Sequence, residues 1–298
     1  MSTASYPLEL LTTDQMAEAD RRTIAGGVPG MSLMENAAAA IAGVTSQILQ
    51  KTSGRRILVL CGPGNNGGDG YVAARLLRGQ RYKVRVASTT PPSELHGDAA
   101  RAAAAWPGEV ASGWDVDFKG VDLGIDALYG TGLARDLDAR TISLVNRLNE
   151  WRRTSKQKVV SVDIPSGVDG TTGGVRGAAV EADVTVTFFR VKTGHLLLPG
   201  RLLCGRLNCV HIGIRPSALE GLGVNTFVNE PELWQSRLAL PDVAGHKYSR
   251  GHAVVVSGGP SFTGAARLAA SAALRAGAGL VTLATPAEAL AINAAALT

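Results

Sequence analysis

Three short stretches of this chain bring together residue types that do chemistry. They read GPGNNGGDG at 62–70, DALYGTGLARDLD at 126–138 and DIPSGVDGTTG at 163–173. Each joins aspartate to glycines and to small hydroxyl or amide side chains. Aspartate offers acid–base chemistry and hard oxygen atoms for a cation, and glycine lets a ligand approach the backbone. Gly62 to Gly67 fit GxGxxG, which invites two familiar readings, and both fail. A Walker loop needs a lysine after its last glycine, and none is present. A dinucleotide fingerprint needs an acid about 20 residues on, at the end of the next strand. That strand ends in Val86-Ala87-Ser88, with Arg85 as the nearest charge. Asp69 is also out of place in a bare phosphate cradle. A carboxylate beside a helix N-terminus repels phosphate unless a cation or a hydroxyl-bearing group intervenes. Asn66, Asp126 and Ser166 carry the oxygen atoms such a cation takes. An isolated Asp69 would equally serve to cap a helix beginning near Tyr71. The same acid-and-glycine chemistry in two further loops weighs toward a site.

The elements that must position these stretches follow from hydrophobic periodicity. Strands are expected at 55–62, 83–88, 122–130, 158–167, 182–189 and 206–214, and helices at 13–24, 31–50, 71–79, 95–106 and 141–153. Thr13 or Asp14 is the expected cap of the first helix. This alternation predicts an α/β, Rossmann-like doubly wound, mainly parallel sheet with helices on both faces. Such sheets bind ligands beyond the carboxyl ends of their strands, and all three stretches follow strands. Residues 215–245 have weak periodicity and several prolines. From 246 a strand, a glycine turn, a helix and a strand begin again, too short a run to close a sheet of its own. The expected organisation is therefore a first domain at 1–222, a linker at 223–245 and, at 246–298, an incomplete α/β unit belonging to something longer.

Composition excludes several classes. The net charge of +5 comes from scattered lysines and arginines, so nucleic acid is not indicated. Cys61, Cys204 and Cys209 are odd in number and lack metal-ligand spacing, which argues against disulfides and zinc. There is no apolar run of membrane-spanning length and no secretory layout at the N-terminus, so a cytoplasmic protein without membrane contact is expected.

NNGGDG at 65–70, DALYGTGL at 126–133 and VDIPSGVDG at 162–170, with ADVTVTF at 182–188 and KTGH at 192–195, resemble the NAD(P)H-hydrate epimerase family. The resemblance covers roughly residues 10–220. From His246, HKYSRGHAVVVSGG and TGAARLAASAALRAGAGLVTLATP resemble the start of an ADP-dependent NAD(P)H-hydrate dehydratase of ribokinase-like fold. The two in that order resemble the bacterial bifunctional enzymes of nicotinamide-nucleotide repair. The resemblance implies a substrate, NADHX or NADPHX, whose nicotinamide ring carries a hydroxyl at C6 in R or S form. It implies that Asn65, Asn66, Gly67, Gly68 and Asp69 line this substrate. It places Gly130, Thr131, Gly132, Leu133, Ala134, Arg135 and Asp136 at the pyrophosphate, and Asp163 at the reacting ring with Lys192 as a second catalytic group. Asn66, Asp126 and Ser166 would hold K+. In the C-terminal unit Gly264, Ala265 and Ala266 would touch the hydrated nucleotide, and ADP would serve a complete dehydratase domain. Family analogy adds a homodimer.

The chemistry to be served is loss and return of a hemiaminal hydroxyl. On this reading Asp163, with a raised pKa, protonates the departing group and then activates the returning water. The dispersed histidines, His195 included, receive no role. Ser166 lacks the GxSxG frame of a nucleophile. A non-catalytic scaffold of the same fold, binding nucleotide or RNA, is the alternative. A scaffold has no need to keep carboxylates at three strand ends.

Overall fold

The computed structural model describes residues 6–238 and 244–297, and these divide into two compact units with the boundary between Asn229 and Glu230. The first unit opens with strand β1 (Glu9–Leu11) and helices α1 (Thr13–Ala25) and α2 (Gly30–Thr52). Strand and helix then alternate through β2 (Arg56–Cys61), α3 (Asn65–Gly79), β3 (Lys83–Ser88), α4 (Gly97–Ala104) and β4 (Val110–Ser112). Next come β5 (Leu123–Ala127), α5 (Ala139–Ser155), β6 (Lys158–Val162) and β7 (Val184–Phe188). The unit closes with β8 (Val191–Lys192), α6 (Gly200–Leu203), β9 (Arg206–Val210) and β10 (Thr226–Phe227).

Seven strands form one all-parallel sheet in the order β4-β3-β2-β5-β6-β7-β9. The chain runs outward from β2 to β4, returns to the other side of β2, and runs outward again to β9. The order reverses between β2 and β5, so their carboxyl ends frame the crevice in which such sheets bind ligands. Side chains alternate across the sheet as strand geometry requires. Ile57, Val59 and Cys61 join one core with Ile41 of α2 and Leu77 of α3, while Leu58 and Leu60 join Leu144 and Leu148 of α5 on the opposite face. Each such side chain, fully buried, contributes about 1.5–3 kcal/mol.

α1 starts with a capping box. Gln15 N–H donates to the Thr12 hydroxyl, and Thr12 N–H donates to the Gln15 side chain. The cap is thus Thr12, one residue before those expected, because Gln15 stands three residues on to reciprocate.

The first glycine-rich stretch departs from expectation. α3 begins at Asn65, with Gly64 at its N-cap, so Asn65 to Asp69 lie on helical turns and Asp69 caps nothing. The glycines serve close approach. A Cβ at Gly67 would lie 2.0 Å from the Gly62 carbonyl oxygen, and one at Gly70 would lie 2.7 Å from the Ala127 side chain. Glycine costs a helix about 1 kcal/mol relative to alanine, a cost offset here by seating α3 directly on β2 and β5.

A small second sheet, β10-β1-β8, has no counterpart in the sequence reading. Leu10 and Leu11 pair in parallel with Val191 and Lys192, and Glu9 lies opposite Phe227. Thr226–Phe227, inside the stretch read as a linker, is thus a strand of the first unit. Residues 239–243 of that stretch lie outside the described residues.

The second unit holds α7 (Pro231–Trp234), β11 (His252–Val256), α8 (Gly264–Arg275), β12 (Leu280–Ala284) and α9 (Leu290–Ala294), with β11 and β12 paired in parallel. Among the described residues, no helix is long and apolar enough to cross a membrane.

Close approach at Gly67 makes a prediction. Gly67→Ala should lose about 1–3 kcal/mol in urea denaturation, the usual range for overpacking. Gly64→Ala, where a Cβ meets nothing within 4 Å, should lose less than about 1 kcal/mol. Equal losses would contradict the packing role.

Candidate active site

β6 ends one residue before Asp163, whose backbone sits at φ +63°. A non-glycine residue there costs about 1–2 kcal/mol. The Ile164 N–H donates to the Val162 carbonyl at 2.8 Å, closing a γ-turn around Asp163. Surrounding contacts hold this conformation. The Asp163 N–H donates to the Val186 carbonyl of β7 at 2.7 Å. The Asp163 carbonyl faces His195 Nε2 at 2.8 Å. Oδ1 accepts from Lys192 Nζ at 2.6 Å and from Thr187 Oγ1 at 3.1 Å. Oδ2 accepts from the Thr131 N–H at 3.1 Å and the Thr131 hydroxyl at 2.9 Å.

Lys192 is 1% exposed. Its ammonium also donates to Thr187 Oγ1 at 2.8 Å and approaches the Phe188 carbonyl at 3.4 Å. Pairing of β1 with β8 fixes its backbone. Two residues earlier, buried Arg190 reaches Glu9 of β1 at 3.2 Å. Burial alone would push the Asp163 carboxyl up. The Lys192 charge and hydrogen bond outweigh burial and hold it well below the ordinary carboxylate range. This environment favours the ionised carboxylate, the opposite direction from the raised pKa expected of Asp163.

Burial, then repulsion from Asp163 and Asp20, pushes Asp69 well above its ordinary value. Asp20 of α1 is raised to about 6, first by burial and then by Asp163, with Lys192 opposing. One ionised carboxylate faces two neighbours pushed toward the protonated form, the pattern that separates acid from base among like groups. Asp20 escaped the sequence reading. It lies one helical turn after Met16 and three residues before Thr23, both buried on α1. An acid on the buried stripe of an amphipathic helix was the available signal.

The predicted cation ligands divide. Asp126, fully buried at the end of β5, accepts at Oδ1 from Ser166 Oγ at 2.5 Å and the Leu128 N–H at 3.3 Å. Its Oδ2 accepts from Ser161 Oγ at 2.8 Å and the Ser166 N–H at 2.9 Å. Burial pushes its pKa up, against these hydrogen bonds. Among the described residues no lysine or arginine pairs with it. Asn66 lies by Gly130: a Cβ at Gly130 would be 2.9 Å from Asn66 Oδ1 and 3.1 Å from Asp163 Oδ2. Asn66 Nδ2 is buried without a partner. Of the three, the structure joins Asp126 directly to Ser166, while Asn66 lies by Gly130 and Asp163.

The structure thus gathers Asn66, Gly130, Thr131, Asp163 and Lys192 into one cluster, with Asp126 and Ser166 adjoining it. Gly67 and Gly68 are buried in packing, and Asn65 is exposed. Gly132, Ala134, Arg135 and Asp136 form an exposed rim, while Leu133 packs against the α5 core. Ala265 is exposed on α8 of the other unit. Thr187 escaped the sequence reading because strand pairing brings it in from distant text, and His195, given no role there, faces the backbones of Asp163 and Lys192.

Residues 30–194 match the family described as YjeF-related protein N-terminus. Over 93% of its length the chain is 35% identical to the bifunctional NAD(P)H-hydrate repair enzyme Nnr of Moorella thermoacetica, covering 54% of that protein. Over 87% of its length it is 38% identical to the enzyme of the same name from Thermofilum pendens, covering 49%. The chain spans about half the length of these relatives. A crystal structure of yeast ynu0, YNL200c, superposes with a TM-score of 0.55 at 21% identity, over 68% of this chain and 87% of that one, a likeness of fold.

Asp20 sets a pH dependence. Its folded pKa of about 6 exceeds the unfolded value, so its contribution is complete below about pH 4 and is lost as pH rises through about 6. Asp20→Asn should therefore match the parent in urea at pH 4 and exceed it by about 1 kcal/mol at pH 8, allowing for partial exposure. A difference independent of pH would contradict this.

Proposed function

The chain belongs to the YjeF-related N-terminal family, and we propose that its first unit interconverts the R and S hydrates of NADH and NADPH at C6 of the nicotinamide ring. The observation that carries this reading is the buried Asp163–Lys192 ion pair, set beside Asn66 and Gly130 at the carboxyl end of β6. The ring nitrogen lone pair expels the C6 hydroxyl, the C–O bond breaks, and an iminium cation forms. Asp69 gives its proton to the departing oxygen, which leaves as water. The Asp163 carboxylate faces the positive ring and stabilises it. Water then adds to either face, and its proton returns to Asp69. Lys192 keeps Asp163 charged throughout and transfers no proton.

The rim from Gly130 through Thr131, Gly132, Leu133, Ala134, Arg135 and Asp136 receives the pyrophosphate, with Arg135 as its cationic group. Asn65 and Asn66 line the nucleotide. Asp126, Ser166 and Asn66 would hold K+, which would supply positive charge to compensate Asp126 and offset its repulsion of phosphate. Ser166 Oγ has a second acceptor, the Tyr129 carbonyl at 3.1 Å, when it releases Asp126. We read the second unit as the start of an ADP-dependent dehydratase in which Ala265 adjoins the hydrated nucleotide.

The test follows the ratio of NADHX epimers by chromatography after one epimer is depleted. The parent chain should restore the ratio. Asp163→Asn and Asp69→Asn should each slow it at least about 100-fold. Exchange of K+ for Li+ should weaken substrate binding. An Asp163→Asn variant working at the parent rate would overturn the reading.

A further inference from the structure

We propose that His195 is a positioning residue: a neutral imidazole that clamps the backbones of Asp163 and Lys192 together and so sets the ion pair on which the epimerase reading rests. His195 is 1% exposed and ends the short turn Thr193–His195 that follows β8. Gly194 anchors that turn, its N–H donating to the Gly170 carbonyl at 2.8 Å. The two ring nitrogens face opposite ways. Nε2 lies 2.8 Å from the Asp163 carbonyl, an acceptor only, so Nε2 carries hydrogen and donates. Nδ1 lies 3.0 Å from the Lys192 N–H, a donor only, so Nδ1 accepts. The Lys192 carbonyl at 3.3 Å from Nδ1 brings no proton. One form of the ring satisfies both bonds, the neutral Nε2–H tautomer. An imidazolium would set Nδ1–H against the Lys192 N–H.

Burial, then the Lys192 charge, lowers the ring's pKa to about 4, which keeps it neutral at physiological pH. Both nitrogens are spent on backbone, so the ring neither touches substrate nor exchanges protons with it. The clamp acts where strain is stored. It fixes the carbonyl of the residue at φ +63° and the N–H of the residue whose ammonium pairs with that residue's carboxylate. A shift of about 1 Å at such a pair costs on the order of 100-fold in rate.

The experiment has two arms. Nitrogen-15 NMR of the parent chain reads the His195 tautomer between pH 5.5 and 8, the span over which an unperturbed histidine titrates. The Nε2–H form throughout is expected; an Nδ1–H form or titration near the ordinary value overturns the clamp. Kinetics then compare His195→Leu, which makes neither bond, with His195→Gln, whose amide can still donate to the Asp163 carbonyl. His195→Leu should lower kcat about 10- to 100-fold with KM within about threefold, and His195→Gln should recover most of it. Unchanged kcat, or a change confined to KM, overturns the proposal. If the parent shows no epimerisation, the functional reading fails while the tautomer still decides the clamp. If His195→Leu does not fold, the parent tautomer and His195→Gln decide it.

Discussion

A lysine and an aspartate removed from water together govern this molecule. Taking two charges into a protein interior costs several kcal/mol per ion, recovered only if geometry and further hydrogen bonds are favourable. Asp163 and Lys192 meet that condition through Thr131 and Thr187, which fill the remaining positions on the carboxylate, and through Phe188. Much of the surrounding fold serves the pair. β6 and β7 deliver Asp163 and Thr187 to one sheet edge, and the β1–β8 pairing holds Lys192 against them. The left-handed backbone at Asp163 is tolerated because its N–H and carbonyl are both held.

The pair also sets the electrostatics around it. A charged Asp163 pushes the pKa of the carboxyls around it upward. Asp69 and Asp20 are raised by burial and by the charge on Asp163. One strong ion pair therefore shifts chemically identical carboxyls in opposite directions. Asp126 accepts from serine hydroxyls and backbone amides and has no cationic side-chain partner among the described residues.

Much of this was legible in the sequence, for definite reasons. Buried strands such as RILVLC and the alternation with amphipathic helices specified the doubly wound sheet. The three acid-and-glycine stretches did fall at strand ends beside the switch point. Local text failed where tertiary contacts decide. GPGNNGGDG looked like an open loop, because glycine propensity argues against helix. Packing of Gly67 and Gly70 against backbone and side chains overrides that propensity. β1, β8 and β10 are too short to show periodicity, yet they place Lys192. The charge state of Asp163 could not be read, since it depends on a lysine 29 residues away whose distance only the fold sets. His195 was passed over for the same reason, since its contact with Asp163 exists only in the fold.

The most direct measurement is a carbon-13 titration of the Asp163 carboxyl in the parent chain and in Lys192→Met. With Lys192 in place the carboxyl should remain ionised through pH 4, where ordinary aspartates take up a proton. In Lys192→Met, burial without the counter-charge should move protonation above that range. Titration of the parent Asp163 at or above about pH 4, or an unchanged midpoint in Lys192→Met, would contradict the account.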